Sequence, residues 1–334
     1  MTGGPRVFVT RPLPAGGTDP LAAADGPGPP CEIIQRTEDE PLGKEGLIAA
    51  LEDGIDGVVA VLTERFDADV YAAGKGRLRV VANVAVGYDN IDVEAATAAG
   101  VVICNTPGIV DDPTADVAFL LILAASRRAS EAEAVLRRGE WDGFHMEGFL
   151  GRDVKGATLG LVGYGRIAQA VARRAAGFDM EVIHHTRRPT GEPGWIGDLH
   201  ELLGRSDVVS LHVPLNPQSR HLIGPAELAA MKPTAVLVNT ARGPVVDEEA
   251  LAEALEQGVI FSAGIDVYER EPTVHPRLLA APGTVLLPHI GTATVARRTA
   301  MSRLASASVR AVLAGEIPEN TLNPEAAGSH HSRD

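Results

Sequence analysis

One segment of the chain reads Leu159-Gly160-Leu161-Val162-Gly163-Tyr164-Gly165-Arg166-Ile167-Ala168. An apolar run leads into the pattern Gly-x-Gly-x-x-Ala, and apolar residues at helical spacing follow it. In this pattern the first glycine permits a tight turn, the second lets backbone amides approach a pyrophosphate, and the small third residue lets helix and strand pack closely. The N-terminus of the helix then faces the phosphates. With a second strand at Glu181–His185, the order of elements predicts a dinucleotide site that includes Gly163, Tyr164, Gly165, Arg166 and Ile167.

The end of that second strand predicts which dinucleotide binds. A site for NAD usually carries Asp or Glu about 20 residues beyond the glycines, where the carboxylate accepts the ribose hydroxyls. Here the strand runs into Thr186, Arg187 and Arg188 without an acidic residue. Two guanidinium groups can hold a 2′-phosphate, and the threonine hydroxyl can donate a hydrogen bond to it. NADP(H) is therefore favoured, with NAD(H) as the alternative if the two arginines follow the strand by chance.

Length, composition and charge narrow the class of protein. The chain has 334 residues, enough for two domains, and its 45% hydrophobic and 22% charged content is ordinary for a globular protein. A formal net charge of −14 argues against nucleic acid or an anionic membrane as a partner. Cys31 and Cys104 form neither a disulfide framework nor a zinc cluster, so we predict no metal site.

The two ends of the chain carry no targeting signal. The first residues lack the apolar stretch of a secretion signal, and the longest apolar run, Val117–Ala125, is too short to span a bilayer. We therefore expect a cytoplasmic protein. The last residues, 324–334, read as a loose tail in which His330 and His331 are solvated.

Short apolar runs alternate with helical patterns along the whole chain, which predicts βαβ units and parallel sheets. Helices are expected near Leu42–Glu52 and Val93–Ala99, and the segment Pro12–Pro30 is expected to be a loop. The predicted strands are Val7–Thr10, Glu32–Gln35, Gly57–Val61, Val80–Ala82, Val101–Cys104, Thr158–Val162, Glu181–His185, Val208–Leu211, Ala235–Asn239, Ala263–Asp266 and Val285–Leu287.

Two long helices suggest how the chain divides. Asp112 followed by Pro113 predicts a capped helix that runs to Arg128 and is apolar nearly all round, so it is buried in its domain or lies at an interface. A helix from about Thr294 to Leu313 is expected to return to the first domain. We therefore predict a discontinuous substrate domain, 1–107 plus about 293–334, a dinucleotide-binding domain, 108–292, and a cleft between them.

Four separated segments share an order with a known family. They are Val84-Ala85-Val86-Gly87-Tyr88-Asp89-Asn90-Ile91-Asp92, Val238-Asn239-Thr240-Ala241-Arg242-Gly243-Pro244-Val245-Val246-Asp247, Gly264-Ile265-Asp266-Val267-Tyr268-Glu269-Arg270-Glu271-Pro272 and Leu287-Pro288-His289-Ile290-Gly291-Thr292-Ala293-Thr294. Together they resemble the D-2-hydroxyacid dehydrogenase family, most closely its glyoxylate/hydroxypyruvate reductases, over about residues 55–323. The resemblance implies an α/β fold with a Rossmann dinucleotide-binding domain and a smaller flavodoxin-like substrate domain.

The resemblance also implies a reaction and the residues that perform it. The reaction is reduction of a small 2-oxo acid, with hydride from the nicotinamide and a proton from His289. Arg242, Glu271 and His289 correspond to the family's catalytic Arg, Glu and His. The chemistry of each side chain fits its role, because the planar fork of Arg242 can hold a carboxylate and polarise a ketone. His289 can act as a general acid, and Glu271 can orient it and stabilise its imidazolium.

Further positions follow from the same resemblance. The backbone amides of Val86 and Gly87 are expected at the substrate carboxylate, and Tyr88 beside them can narrow the pocket. Asp266 is expected near the nicotinamide carboxamide, and Ala168 stands where the family usually has a third glycine. The apolar helix from Pro113 is expected to form a homodimer interface, with burial inside its own domain as the alternative. The remaining expected cofactor contacts are Thr114, Pro214, Thr240, His289 and Gly291, although Thr114 can equally be a plain first-turn residue.

Two other functions stay open at this point. One is a dehydrogenase for another 2-hydroxy acid, formate or phosphite, although the set of Asn and Gln side chains expected around formate is not evident. The other is a nucleotide-sensing binding protein resembling a corepressor. That role needs peptide-binding or tail motifs, and neither is evident in the sequence.

Overall fold

A computed structural model describes residues 4–330. The chain divides into two compact units, one formed by the chain up to Ile109 together with the chain from Ala293 onward, the other by Val110–Thr292. That the first unit binds substrate and the second binds the dinucleotide stays a prediction.

The first unit is built on a parallel sheet whose strands are short and mostly apolar. The strand order β2-β1-β3-β4-β5 is that of a flavodoxin-like sheet. Strands at the centre of such a sheet are covered on both faces, which explains their valine-rich sequences. The strands are β1 (Arg6–Val9), β2 (Glu32–Gln35), β3 (Gly57–Ala60), β4 (Val80–Asn83) and β5 (Val102–Cys104).

Between residue 4 and the second unit the structure has four helices, and two of them are capped by aspartate. Asp67 and Asp92 accept the backbone N–H groups of Val70 and Ala95, which satisfies donors that a helix start leaves open. The segment Pro12–Pro30 is not entirely a loop as predicted, because it contains α1, whose Leu21 is fully buried. The helices are α1 (Asp19–Ala22), α2 (Gly43–Glu52), α3 (Ala68–Ala73) and α4 (Val93–Ala99).

The second unit begins with α5 (Asp111–Ser126) and α6 (Ala129–Arg137). The predicted cap at Asp112 is wrong: α5 starts at Asp111, and both aspartates lie in its first turn, where a negative charge favours the helix.

The apolar character of α5 is explained by burial inside its own unit. A Cβ on Gly264 would lie 2.7 Å from Leu121 Cβ, and Ser262 Oγ donates to the carbonyl of Ala125 at 3.1 Å. The glycine lets the helix lie close to the sheet. Most of α5 is therefore core, although Leu120 stays half exposed.

The sheet of the second unit is also parallel, with the order β11-β10-β9-β8-β6-β7. The chain passes from β6 to β7 on one side and returns to β8 on the other, so the strand order reverses beside β6. Ligands of doubly wound sheets bind at this switch point, outside the carboxyl ends of the strands. The strands are β6 (Thr158–Val162), β7 (Glu181–His185), β8 (Val208–Leu211), β9 (Val236–Asn239), β10 (Ser262–Ile265) and β11 (Thr284–Leu286), and the helices are α7 (Arg166–Ala175), α8 (Leu199–Arg205), α9 (Pro225–Ala230), α10 (Glu248–Glu256) and α11 (Pro276–Ala280).

The chain then returns to the first unit through α12 (Val295–Leu313), capped by Thr294, whose hydroxyl accepts the Arg297 N–H. The prediction of a loose tail is wrong for the described part, since Pro324–His330 forms a 3-10 helix and Ala326 is buried in the first unit's core. His331 lies outside the described residues. Both predicted sheets are present, and the predicted fold class is confirmed.

Within residues 4–330 no helix is both long and apolar enough to cross a membrane. The same residues contain no group of three or more His, Cys, Asp or Glu side chains that could hold a metal ion.

Candidate active site

The three predicted catalytic residues belong to loops at one edge of the second unit's sheet. Arg242 follows β9, Glu271 follows β10 and His289 follows β11. These strands are parallel and adjacent, so their carboxyl ends meet at the same edge. The fold therefore brings together residues that are far apart in sequence.

His289 and Glu271 are in direct contact. His289 Nδ1 lies 2.9 Å from Glu271 Oε2, and Glu271 Oε1 accepts the backbone N–H of Tyr268 at 3.0 Å. Burial raises the pKa of Glu271, but the hydrogen bond and charge of His289, the Tyr268 N–H and the charge of Arg242 outweigh it and hold that pKa below its ordinary value. Glu271 is thus a carboxylate at neutral pH. It occupies one ring nitrogen of His289 and leaves the other for a reacting group.

The backbone around His289 is fixed from both sides. His289 has a φ of +53°, a left-handed conformation uncommon for a residue with a side chain. Asp266, which is buried, accepts the N–H groups of Ile290 at 2.7 Å and Gly291 at 2.8 Å. On the other side, the Tyr268 hydroxyl donates to the carbonyl of Leu287 at 2.9 Å. These contacts hold the imidazole in a defined direction before any substrate arrives.

Asp266 therefore has a structural task besides the one expected from the resemblance. Burial raises the pKa of its carboxyl group, partly opposed by the Ile290 N–H, the charge of His289 and the Gly291 N–H. A direct contact with the nicotinamide carboxamide stays a prediction.

Arg242 is held by its neighbours in the loop after β9. The Asn239 side chain donates to the carbonyl of Arg242 at 2.9 Å and accepts the N–H of Ala241 at 3.0 Å. The guanidinium also donates to the carbonyl of Ala241 at 2.7 Å. A Cβ on Gly243 would lie 1.8 Å from the carbonyl carbon of Tyr268, so only glycine lets the Arg242 loop lie against the Glu271 loop.

The glycine-rich loop after β6 has the geometry that its sequence predicts. Gly163 has a φ of +89°, and a Cβ there would lie 2.5 Å from the carbonyl oxygen of His212. Gly165, at the start of α7, faces open space, because a Cβ built on it meets nothing within 4 Å. Ala168 is fully buried where the helix packs on the sheet. The loop therefore presents an accessible backbone at a helix N-terminus, the arrangement that suits a pyrophosphate.

The side chains of Tyr164 and Arg166 contact neighbouring elements of the second unit. Tyr164 stacks on His184 of β7, with ring centroids 3.7 Å apart. Arg166 pairs with Asp111, with 3.3 Å between Nε and Oδ2.

The segment after β7 is arranged as a turn that projects its arginines outward. The Thr186 hydroxyl donates to the carbonyl of Arg188 at 2.7 Å, and Trp195 Nε1 donates to the carbonyl of Thr186 at 3.3 Å. Arg187 and Arg188 are exposed, and neither forms an ion pair with a described residue. Two cationic groups are thus available to an anionic ligand.

The other predicted cofactor contacts differ in how strongly the structure favours them. The Thr240 hydroxyl is buried and lacks a hydrogen-bond partner among the described residues, which is costly unless a ligand supplies one. Thr114 Oγ1 lies 3.7 Å from the position of a Cβ on Gly291, so these two residues are neighbours. Pro214 is exposed, and its carbonyl accepts the Ser219 hydroxyl at 2.6 Å.

Val86 and Gly87 belong to the first unit, in the loop after β4. Asn105 donates to the carbonyl of Val86 and Asn83 to the carbonyl of Gly87, both at 2.9 Å. Asn90, which also contacts Asn83, donates to the carbonyl of Glu64 at 2.8 Å. These bonds fix the peptide planes of the loop.

Several residues that hold the site in place were not predicted from the sequence. Asn239 and Gly243 flank Arg242 and lie within the motif, so a polar residue at a strand end and a glycine after a charged residue were available signals. Tyr268 and Glu248 gave no local signal, because their partners lie elsewhere in the chain: Glu248 accepts the N–H groups of Glu269 and His275.

Comparison with known proteins identifies the family. Residues 119–291 match the model described as "D-isomer specific 2-hydroxyacid dehydrogenase, NAD binding domain". The chain is 44% identical over 330 residues to the glyoxylate reductase of Thermococcus gammatolerans, covering 96% of each chain. The chain belongs to the D-isomer specific 2-hydroxyacid dehydrogenase family. Its resemblance to that family is thereby confirmed, and the residues that match the family model lie within the second unit.

Solved structures resemble this chain over nearly its whole length. A protein from Thermus thermophilus is 43% identical, with a TM-score of 0.87, covering 95% of this chain and 99% of that one. An NADPH-dependent glyoxylate/hydroxypyruvate reductase from Sinorhizobium meliloti, solved with NADP and malonate, is 31% identical with a TM-score of 0.83, covering 96% of this chain and 98% of that one. These similarities do not favour the corepressor-like alternative.

Proposed function

We propose that this dehydrogenase reduces a small 2-oxo acid, glyoxylate or hydroxypyruvate, to the 2-hydroxy acid with NADPH. The observation that carries the proposal is the 2.9 Å contact between His289 Nδ1 and Glu271 Oε2 in a cluster that also contains the charge of Arg242. A proton donor beside a fixed cation suits a substrate with a ketone next to a carboxylate. Similarity to a glyoxylate reductase and to a glyoxylate/hydroxypyruvate reductase supports the choice of these two acids.

Arg242 binds the substrate and polarises its ketone in this proposal. Its guanidinium carries a permanent charge and a planar set of donors, which matches a carboxylate and the adjacent carbonyl oxygen. The Asn239 contacts with the loop limit how far its backbone can move. As negative charge develops on the ketone oxygen, this fixed cation stabilises it without reorganisation.

The backbone amides of Val86 and Gly87 are proposed as the second set of carboxylate ligands. Glycine permits close approach of an anion, and consecutive N–H groups suit a carboxylate. The side chains of Asn83 and Asn105 support this role because they hold the carbonyls of the same peptides. Tyr88, which is about half exposed, is available to limit the size of the substrate.

His289 supplies the proton to the ketone oxygen. The proton leaves the ring nitrogen that Glu271 does not contact, and the imidazolium that precedes transfer is stabilised by the Glu271 carboxylate. In the oxidative direction the same nitrogen removes the hydroxyl proton. The general acid contributes roughly 10²–10⁴-fold to the rate.

The described residues fit a bound dinucleotide. Gly165 at the N-terminus of α7 leaves room for a pyrophosphate, and the buried Thr240 hydroxyl needs the partner that a ligand can supply. Gly163, Tyr164, Arg166, Ile167, Thr114, Pro214, Asp266, His289 and Gly291 complete the proposed set. When bound, the nicotinamide supplies the hydride to the ketone carbon.

The preference for NADPH is proposed from the segment after β7. Thr186, Arg187 and Arg188 stand where an NAD site has an acidic residue, and both arginines are exposed without an ion pair among the described residues. A 2′-phosphate offers each of them a charge-assisted bond.

A homodimer is proposed from a segment that the sequence analysis did not single out. Between α6 and β6, Trp141, Phe144 and Met146 are 59%, 83% and 79% exposed. Three large apolar side chains that are this exposed and this close in sequence are unusual for a monomer, and a second copy of the chain would cover them. The location of the protein in the cytoplasm, expected from its sequence, is also a proposal.

The test is a spectrophotometric assay of NADPH oxidation with glyoxylate, hydroxypyruvate and pyruvate as substrates. We expect turnover of glyoxylate or hydroxypyruvate with a higher kcat/KM for NADPH than for NADH. Absence of turnover with all three acids and either cofactor would overturn the proposed function. Equal or better kinetics with NADH would overturn the NADPH preference alone.

A further inference from the structure

Glu248 is a buried carboxylate that the proposed reaction does not use. It is the first residue of α10, and its side chain accepts backbone N–H groups from two places in the chain. Oε1 accepts the N–H of Glu269, and Oε2 accepts the N–H of His275 at 3.2 Å. The segment between these anchors, Glu269–His275, contains Glu271. One side chain therefore holds both ends of the segment that carries the partner of His289.

The contact with Glu269 is reciprocal. Glu269 Oε1 accepts the N–H of Glu248 at 3.0 Å, so each glutamate binds the backbone of the other. Glu269 Oε2 also lies 3.2 Å from His221 Nε2. Gly243, close to Arg242, packs against the backbone of Tyr268 and Glu269 at the same place. The loop that carries Arg242 and the loop that carries Glu271 are thus joined beside Glu248.

A carboxylate is well suited to this position. Two oxygens without protons accept from two N–H donors, and each bond to a charged acceptor is stronger than a neutral one. An amide side chain has the same shape, but its NH₂ group would face one of the two N–H donors. One anchor must then open, and the segment at that end is free to shift.

We propose that Glu248 is a positioning residue that sets the Glu271–His289 pair in its working geometry by holding Glu269 and His275. The inference rests on the proposed roles of Glu271 and His289. Because the 2.9 Å contact between Glu271 and His289 depends on where the Glu271 backbone lies, loss of one anchor weakens that contact. The glycine-rich loop after β6 is not part of these contacts, so binding of the dinucleotide there is not expected to change.

The test compares Glu248→Gln with Glu249→Gln in the full-length protein. Glu249 is the next residue of α10, is exposed and undergoes the same change of charge, so it is a matched control. We expect Glu248→Gln to lower kcat for glyoxylate about tenfold, as when one hydrogen bond of a working network weakens, with KM for NADPH unchanged. Glu249→Gln is expected to match the unmodified protein.

A double variant separates positioning from general damage. If Glu248 acts through Glu271, adding Glu248→Gln to Glu271→Gln lowers kcat by less than about twofold, because the charged contact with His289 is already lost. A full additional tenfold loss would contradict the proposal. A loss of activity that only follows loss of folded protein in urea titrations would contradict it too.

A spectroscopic readout keeps the result independent of the substrate. In protein labelled with ¹⁵N-histidine, the His289 Nδ1–H signal, assigned by its absence in His289→Ala, reports the bond to Glu271. We expect it to move or broaden in Glu248→Gln and to stay in place in Glu249→Gln. This outcome supports positioning even if the unmodified protein fails to reduce glyoxylate, which would overturn only the proposed function. An unchanged signal and unchanged kcat in Glu248→Gln overturn the inference.

Discussion

The cluster formed by Arg242, Glu271 and His289 and the turn formed by Thr186–Arg188 lie at the same edge of one sheet but are held to different degrees. In the cluster, each residue has neighbours whose side chains bind the adjacent backbone, such as Asn239 beside Arg242 and Asp266 beside His289. In the turn, the two arginines are exposed and form no ion pair with a described residue.

This difference predicts that the cluster determines the reaction rate and that the turn affects the choice of cofactor. Groups fixed in advance stabilise a transition state without reorganisation, so changes there are expected to cost orders of magnitude in rate. Exposed arginines lose rotamer freedom when a ligand binds, and salt screens their charge, so each contributes less to binding. Changes in the turn are therefore expected to alter cofactor choice by a smaller factor.

Removing the proton donor gives the largest expected effect. His289→Ala is expected to lower kcat for reduction by roughly 100-fold or more, because the proposed reaction has no second donor to the ketone oxygen. The matched control is His200→Ala, since exposed His200 also contacts a carboxylate, with 3.2 Å between Nε2 and Glu227 Oε1. Steady-state assays of both variants check this. Near-normal reduction by His289→Ala would require another proton donor.

Arg242→Ala is expected to reduce kcat about 100-fold and to raise KM for the oxo acid, because one group binds and polarises the substrate. Arg242→Lys keeps the charge but lacks the fork, so partial recovery is expected. Cofactor affinity, measured by fluorescence titration, is expected to change little. A large loss of that affinity would mean that Arg242 serves the nucleotide.

Substitutions at two glycines are expected to change the free energy of unfolding by different amounts, because Gly243 is tightly packed and Gly165 has open space around it. Gly243→Ala places a Cβ 1.8 Å from a backbone carbon and is expected to lower the free energy of unfolding by about 1–3 kcal/mol or more. Gly165→Ala, with open space around its Cβ and ordinary φ, is expected to leave unfolding nearly unchanged and to raise KM for NADPH. Urea titrations and cofactor titrations check the pair. Equal stability losses would contradict the distinction.

The smallest effect is expected in the turn. Replacing Arg187 and Arg188 together by alanine is expected to reduce the ratio of kcat/KM for NADPH to that for NADH about tenfold. The effect is smaller than the loss of two buried charged contacts would give, because both side chains are exposed. The reaction rate at saturating cofactor should stay close to that of the unmodified enzyme. An unchanged ratio would show that these arginines do not select the cofactor.

Most of the fold was predictable because its strands are short apolar runs bounded by turn residues. The predicted bounds of Glu32–Gln35, Glu181–His185 and Val208–Leu211 match the structure. Helix α3 was not predicted because its 6 residues are too few to show a helical repeat of apolar positions. Asp67, which caps its N-terminus, was the available signal in the sequence. The 3-10 helix at Pro324–His330 was not predictable, because its burial depends on contacts with the distant core of the first unit.

The catalytic side chains of the candidate site could be predicted from the sequence, but most of the residues that hold them in place could not. Arg242, Glu271 and His289 follow strands, so the sequence placed them at one sheet edge. The side chains that fix them act through partners distant in sequence, as Asp266 does with Ile290 and Gly291. No local pattern encodes such pairs, since only the packed sheet brings them together.

The pH dependence of reduction by Glu271→Gln and the unmodified enzyme tests the central claim most directly. The pKa of Glu271 is held below its ordinary value, so between about pH 6 and 9 it is ionised and its own titration does not shape the profile. Reduction needs a proton on His289, whose Nδ1 lies 2.9 Å from Oε2 of the Glu271 carboxylate. The account predicts that reductive kcat falls with rising pH in both proteins, and that in Glu271→Gln the fall begins at lower pH with partial activity kept. An identical profile in the two proteins would contradict it.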